Sequence, residues 1–181
     1  MIAADEIVRS ERLDLPLLPR ELLDAFIASD RPAIARLATY SVPPDFPSND
    51  ERELVRFRRD QLVADPTRYP WSVRAIVLRA ERRMIGFVNF HGAPGVNDTG
   101  TPGALELGWT VFQEYRSHGF ATETAVALMD WARSRGVRHF ISSTTPDNAA
   151  SLRVHEKLGF ARTGEVVEGE LIFELKATQV R

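Results

Sequence analysis

The sequence predicts a single mixed α/β (α+β) domain, with a central sheet of about six to seven strands and helices on both faces. Two observations carry this. Strand-like and helix-like hydrophobic periods alternate along the chain and do not separate into an all-β and an all-α block. The 181 residues suffice for one sizeable core but are few for two, and no repeat, low-complexity tract or linker divides residues 1–181. Within that unit, residues 10–70 hold a first strand and several helices, and residues 72–177 a strand-rich core.

The elements follow in order. Residues 12–18, RLDLPLL, alternate, with Leu13, Leu15 and Leu17 on one face; Pro16 suits an edge strand. Pro19 opens a helix whose apolar stripe is Leu22, Leu23, Phe26 and Ile27. Asp30 caps a short second helix. After the proline-rich SVPPDFP, Ser48 and Glu51 form a capping box for a longer helix. That helix bears Arg56, Arg58 and Arg59, read as a solvated face. WSVRAIVLRA and MIGFVNFH flank the polar turn AERR as a hairpin. A glycine- and proline-rich loop, 92–103, leads into the strand ALELGWTVF. A helix follows, with small residues at Ala121, Ala125 and Ala132, and Gly136 ends it. VRHFISST is a strand, Asn148 or Asp147 starts a short helix that stops at Gly159, and residues 160–166 and 170–177 close the fold as two strands.

Bulk properties exclude several functions. A formal net charge of -2 argues against a nucleic-acid binder. The absence of cysteine removes disulfides, thiolate catalysis and cysteine metal centres. The N-terminal residues are charged and have no apolar core of a secretory leader, and no apolar run reaches a membrane span, so a cytoplasmic protein is expected. There is no Gly-x-Ser-x-Gly, His-Glu-x-x-His or Walker motif, and the four histidines show no metal-ligand spacing.

The chain is organised around residues 105–136, a strand that feeds a turn and then a helix. The turn contains Arg116, Ser117, His118, Gly119, Phe120 and Ala121. Gly119 and Ala121 allow close approach to the backbone, and Arg116 adds positive charge. The unpaired N–H groups of a helix start, with roughly half a positive charge there, suit a phosphate or pyrophosphate. An ordinary strand–turn–helix with a glycine at a tight bend is the competing reading.

Two motifs resolve the choice. YRSHGFATETAVALMDWA and TPDNAASLRVHEKLGF resemble, together and in order, the Gcn5-related N-acetyltransferase superfamily. The first matches its acyl-CoA signature Arg/Gln-x-x-Gly-x-Gly/Ala through Arg116, Gly119 and Ala121. The second matches Asn-x-x-Ser/Ala…Lys-x-Gly-Phe through Asn148, Ser151, Lys157, Gly159 and Phe160. LELGW, residues 105–109, is similar to the glutamate-bearing fourth strand of the ribosomal-protein-acetylating branch. The resemblance is strong over residues 72–167 and weaker over the N-terminal helices.

It implies transfer of an acetyl group from acetyl-CoA, a cosubstrate, to an amine by direct attack, with no metal. The pyrophosphate would sit on Arg116, Ser117, His118, Gly119, Phe120, Ala121 and Thr122. The pantetheine arm would pair with the end of the fourth predicted strand, near Val111 and Phe112, where it splays from the fifth. Asn148 would contact the pantetheine or order its own loop. Glu106 is the expected general base, because a glutamate in an apolar strand is costly unless paired or functional; a solvent-facing residue is the alternative. The leaving thiolate would be assisted by Ser151 or by His155. His155 stands where many family members have tyrosine, and the exposed side of the helix is its alternative reading. His91 is expected to be a loop residue without a role; lining the acceptor side, or supplementing Glu106 as a base, is its alternative reading. The acceptor would be a protein N-terminal α-amine or a small-molecule amine, bordered by the N-terminal helices and the 92–103 loop, and a homodimer is compatible with the chain. A non-catalytic acyl-CoA-binding module, or a transferase with another acyl donor, is the alternative function.

Overall fold

The computed structural model describes residues 7–176. The elements are β1 (Val8–Arg9), β2 (Leu13–Leu15), α1 (Arg20–Ala28), α2 (Arg31–Leu37), α3 (Asn49–Ala64), β3 (Val73–Leu78) and β4 (Arg83–Phe90). They continue with β5 (Leu105–Val111), α4 (Phe120–Arg133), β6 (His139–Thr144), α5 (Ala149–Leu158), β7 (Ala161–Val167) and β8 (Glu170–Lys176). All eight strands lie in one sheet, in the order β1-β2-β3-β4-β5-β6-β8-β7. The expected mixed sheet and two helical faces are present, with one strand more than expected. The extra strand is β1, which pairs with β2 through Val8↔Leu15. The expected final residue of the last strand, Ala177, and the first residues of the N-terminus lie outside the described residues.

Local chemistry sets the helix starts. The Asp30 carboxylate accepts from the Ala33 N–H at 3.0 Å. The Ser48–Glu51 box is reciprocal: Glu51 N–H donates to Ser48 Oγ at 3.3 Å and Ser48 N–H to Glu51 Oε2 at 2.8 Å. The apolar stripes then decide the layers. Leu22, Leu23, Phe26, Ile34, Val55 and Leu62 of α1–α3 pack on Val73, Ala75, Val77, Met84 and Phe87 on one face. Ala125, Leu128, Met129 and Ala132 of α4 pack on Ile76, Ile85, Val88, Phe90, Leu105 and Leu107 on the other. Ala125 and Ala132 are fully buried, which brings α4 close to the sheet.

Two features of the sheet position the site. Among the described residues β5 and β6 are its one parallel pair of strands, joined only at Leu105↔Phe140 and Glu106↔Ile141. Beyond Glu106, β5 stays with β4 as far as Val111 while β6 follows β8 as far as Thr144, so the two strands diverge. The second feature is Gly86 on β4. A Cβ there would lie 2.1 Å from the Thr110 carbonyl oxygen and 3.0 Å from Val111 Cα, so only glycine lets the end of β5 lie against β4.

Candidate active site

The divergence of β5 and β6 opens a cleft of about 630 Å³. Trp109, Thr110 and Val111 of β5 form one wall, the 115–122 turn and α4 start form the floor, and Asn148, Ser151 and Val154 of α5 form the other wall. Antiparallel pairing alternates the direction of backbone groups. On β5 the Glu106 carbonyl accepts from His91 N–H and the Phe112 N–H donates to Ile85 O, so these residues turn their backbone to β4. Trp109 and Val111 therefore turn theirs toward the cleft, where the Val111 carbonyl accepts from Arg116 Nε at 3.0 Å. Phe112 does not line it; its ring lies 5.5 Å from that of Phe46, on the opposite face. The two residues named for the pantetheine edge thus part company.

The floor is an open helix start. Gly119, with φ +81°, is the N-cap of α4, and no side chain caps it. Ser117 is also left-handed, at φ +66°. These two positive-φ residues turn the first amides of α4, with the positive end of its dipole, into the cleft. Arg116, Ser117, Phe120, Ala121 and Thr122 line it as expected. His118 does not: it is exposed, and its Nδ1 donates back to the Arg116 carbonyl at 2.7 Å, bracing the turn. Two further cations from α5, Arg153 and Lys157, line the cleft with Arg116.

The turn is also tied from behind by residues that the sequence reading missed. Glu123 accepts from Ser10 Oγ at 2.6 Å, from the Arg12 N–H at 2.8 Å and from Arg12 Nε at 2.7 Å. Arg12 Nη2 donates to the His118 carbonyl at 3.1 Å, and its guanidinium lies over the Phe120 ring. Burial alone would raise the Glu123 carboxyl; its contacts with Ser10 and Arg12 outweigh this and hold it below the ordinary range.

On α5, Asn148 is the helix cap, its Oδ1 accepting from Ser151 N–H at 3.1 Å. Ser151 lines the cleft. His155 lies one turn behind and is fully buried, not on an exposed side. Its ring stacks on Phe173 at 4.3 Å, and Nδ1 donates to the Ser151 carbonyl at 2.8 Å. Nε2 is buried with no hydrogen-bond partner among the described residues. Burial pushes its pKa below the usual 6.5, so the ring is neutral.

Glu106 is likewise not solvent-facing: it is 0 % exposed. It lies on the α1–α3 side of β5, beneath the 92–103 loop. Its Oε2 accepts from the Asp98 N–H at 2.8 Å and lies 3.4 Å from His91 Nδ1; Oε1 is buried without a partner among the described residues. The same Nδ1 is 3.3 Å from Asp98 Oδ2. In the sequence the histidines are scattered, yet in space His91 joins two carboxylates. Arg58, expected on a solvated face, is buried on α3 and donates to the His91 carbonyl at 3.3 Å. Burial of Glu106 alone would raise its pKa, but His91, the Asp98 amide and the Arg58 charge prevail and hold it below its ordinary value, ionised.

An open helix start beside a split sheet can receive a phosphate-bearing ligand whose arm lies along a free strand edge, and a buried carboxylate lies on the far side of the same strand. Residues 12–161 match the family described as Acetyltransferase (GNAT) domain. The chain belongs to that family. It is 30% identical over 155 residues to the uncharacterized N-acetyltransferase YjdG of Bacillus subtilis, covering 85% of this chain and 89% of that protein. It is 35% identical over 57 residues, 32% of this chain and 39% of the other, to an aminoglycoside N(6')-acetyltransferase type 1 of Salmonella typhimurium. Among solved structures it is similar to the ribosomal-protein-S5-alanine acetyltransferase of Vibrio fischeri, with a TM-score of 0.65 and 17% identity, covering 98% of this chain and 100% of that one. No helix of the described residues is long and apolar enough to cross a membrane.

Proposed function

We propose that the protein transfers an acetyl group from acetyl-CoA to a primary amine by direct attack. The observation that carries this reading is the cleft itself, where the free edge of β5 meets the uncapped start of α4. The pyrophosphate fits the amides of 119–122, with Arg116, Arg153 and Lys157 as counter-charge. The pantetheine amides fit the backbone of Trp109 and Val111 as an added strand. An ammonium cannot attack a thioester, and Glu106, ionised and poorly solvated, serves as the proton acceptor. Ser151 donates to the departing thiolate, and His155 holds Ser151 through its carbonyl. The chain has no cysteine to carry an acyl group.

The acceptor is an amine on the α1–α3 side. The likeness to a ribosomal-protein alanine acetyltransferase supports a protein N-terminus. The shorter match to an aminoglycoside acetyltransferase supports a small polyamine.

The test is calorimetric titration with acetyl-CoA, followed by CoA release over N-terminal peptides and aminoglycosides. Saturable binding with release dependent on one acceptor class is expected; no binding of acetyl-CoA overturns the reading. Replacing Glu106 by Gln should lower kcat by about 10²–10⁴-fold and leave the acetyl-CoA Kd unchanged.

A further inference from the structure

Glu106 presents a difficulty as a base. It is 0 % exposed, and the loop that carries Asp98 covers it. An acceptor amine cannot touch it without displacing that loop. His91 bridges the gap. Its Nδ1 faces Glu106 and Asp98, as above, while its side chain is 25% exposed. The opposite ring nitrogen, Nε2, faces Gly108: a Cβ on that glycine would lie 3.8 Å away. Gly108 begins the half-exposed part of β5, next to the cleft residue Trp109. The ring is fixed from its backbone, since His91 N–H donates to the Glu106 carbonyl at 3.0 Å and its carbonyl accepts from Arg58.

We infer that His91 is a catalytic proton relay, its Nε2 meeting the acceptor amine and its Nδ1 passing the proton to Glu106. The inference rests on the reading of Glu106 as base. As the C–N bond forms, the amine loses one proton to Nε2 while the Nδ1 proton moves to Glu106 Oε2. The C–S bond then breaks, and the CoA thiolate takes up one proton from Ser151 or water. Glu106 returns its proton to Nδ1, Nε2 gives its own to solvent, and Ser151, where it is the donor, is reprotonated from solvent; from the free amine no net proton is released, and from the ammonium, whose first proton leaves to solvent before attack, one is. The absence of a side chain at Gly108 leaves Nε2 room for the amine. The charged groups that face the imidazole are Glu106 and Asp98 at Nδ1 and Arg58 behind the backbone, whose charge also acts on both carboxylates. Asp98, largely exposed, orients the same Nδ1–H; it is a positioning residue.

Two measurements test this. The first uses N-terminal seryl and alanyl peptides and kanamycin as acceptors. His91→Ala should lower kcat by about 10²-fold or more, with acetyl-CoA affinity unchanged, and free imidazole in the buffer should restore part of the rate. His91→Gln, which keeps the size, should be equally slow. A His91→Ala enzyme as fast as the parent, while Glu106→Gln is slow, overturns the relay and leaves Glu106 as base. Slow variants without imidazole rescue also overturn it, in favour of a structural role. The second needs no acceptor: side-chain nitrogen NMR should find neutral His91 as the Nδ1–H tautomer, and Glu106→Gln should disturb it. An Nε2–H tautomer overturns the relay even if every acceptor fails, an outcome that would instead count against the transferase reading.

Discussion

His155 and Glu106 are both fully buried and titratable, yet the structure treats their charged forms in opposite ways. His155 has aromatic neighbours and no carboxylate, so burial disfavours the imidazolium. Its folded pKa lies below the unfolded 6.5. As pH falls below about 6.5 the unfolded chain takes up a proton that the folded chain refuses, and stability declines until the folded pKa is reached. His155→Phe, which fills the same aromatic niche, should flatten the dependence of Tm on pH between 7 and 5; an unchanged slope would show that the buried ring is not the titrating group. Glu106 keeps its charge because His91, the Asp98 amide and Arg58 surround it. Its depressed pKa adds stability that is full above the unfolded value near 4.5 and lost as pH falls through the folded one. Glu106→Gln should therefore lower Tm at neutral pH and remove acid sensitivity only in that lower window. The identity of Glu106 as an anomalous residue was legible in the sequence, because it interrupts an apolar strand. Its burial, and the company of Asp98, were not. They depend on how a loop folds back over the strand, which no periodicity encodes.

Helix starts and strand positions were the most legible level. Asp30, the Ser48–Glu51 box, Asn148 and Gly119 each act through partners within four residues, so a local pattern suffices to find them. The contacts that hold the α4 turn in place are the opposite case. Arg12 and Glu123 are 111 residues apart and became neighbours only because β1 and β2 pack beside α4. Glu123→Ala leaves α4 with its own caps and apolar stripe but unties it from the N-terminal strands. It should weaken acetyl-CoA binding several-fold, read by calorimetry, with a stability cost of about 1 kcal/mol. Gly86 is a second element-level constraint. Gly86→Ala drives a methyl into the backbone of β5, where no side chain can yield. A loss of about 1–3 kcal/mol in urea unfolding is expected, with a wall of the cleft displaced. A variant as stable as the parent would mean that β4 and β5 separate without penalty.

For the molecule as a whole, the alternation of periods disclosed the layers and the order of elements. It missed β1, whose two residues are too few to show any period. Two motif segments some thirty residues apart in the chain converge on one cleft because the strands between them diverge. That convergence makes a global prediction. A ligand bound only by the folded state stabilises by RT ln(1 + [L]/Kd), about 2.7 kcal/mol at a hundredfold excess over Kd. For a domain of this size, acetyl-CoA should therefore raise Tm by roughly 5–10 °C. A shift with CoA but none with adenosine would assign the effect to the pantetheine and phosphates.

The seam between β5 and β6 is also a mechanical junction. Among the described residues, two residue pairs are the whole ladder connection between a five-stranded plate and a three-stranded one, with α4 bracing one side. Such a junction is stiff along the strands and compliant across them. A pantetheine arm laid along the free edge would act as the missing rung, turning two plates that rock about residues 105–106 into one continuous sheet. Amides flanking the seam should accordingly exchange with solvent more slowly once that rung is in place, even where they touch nothing of the ligand.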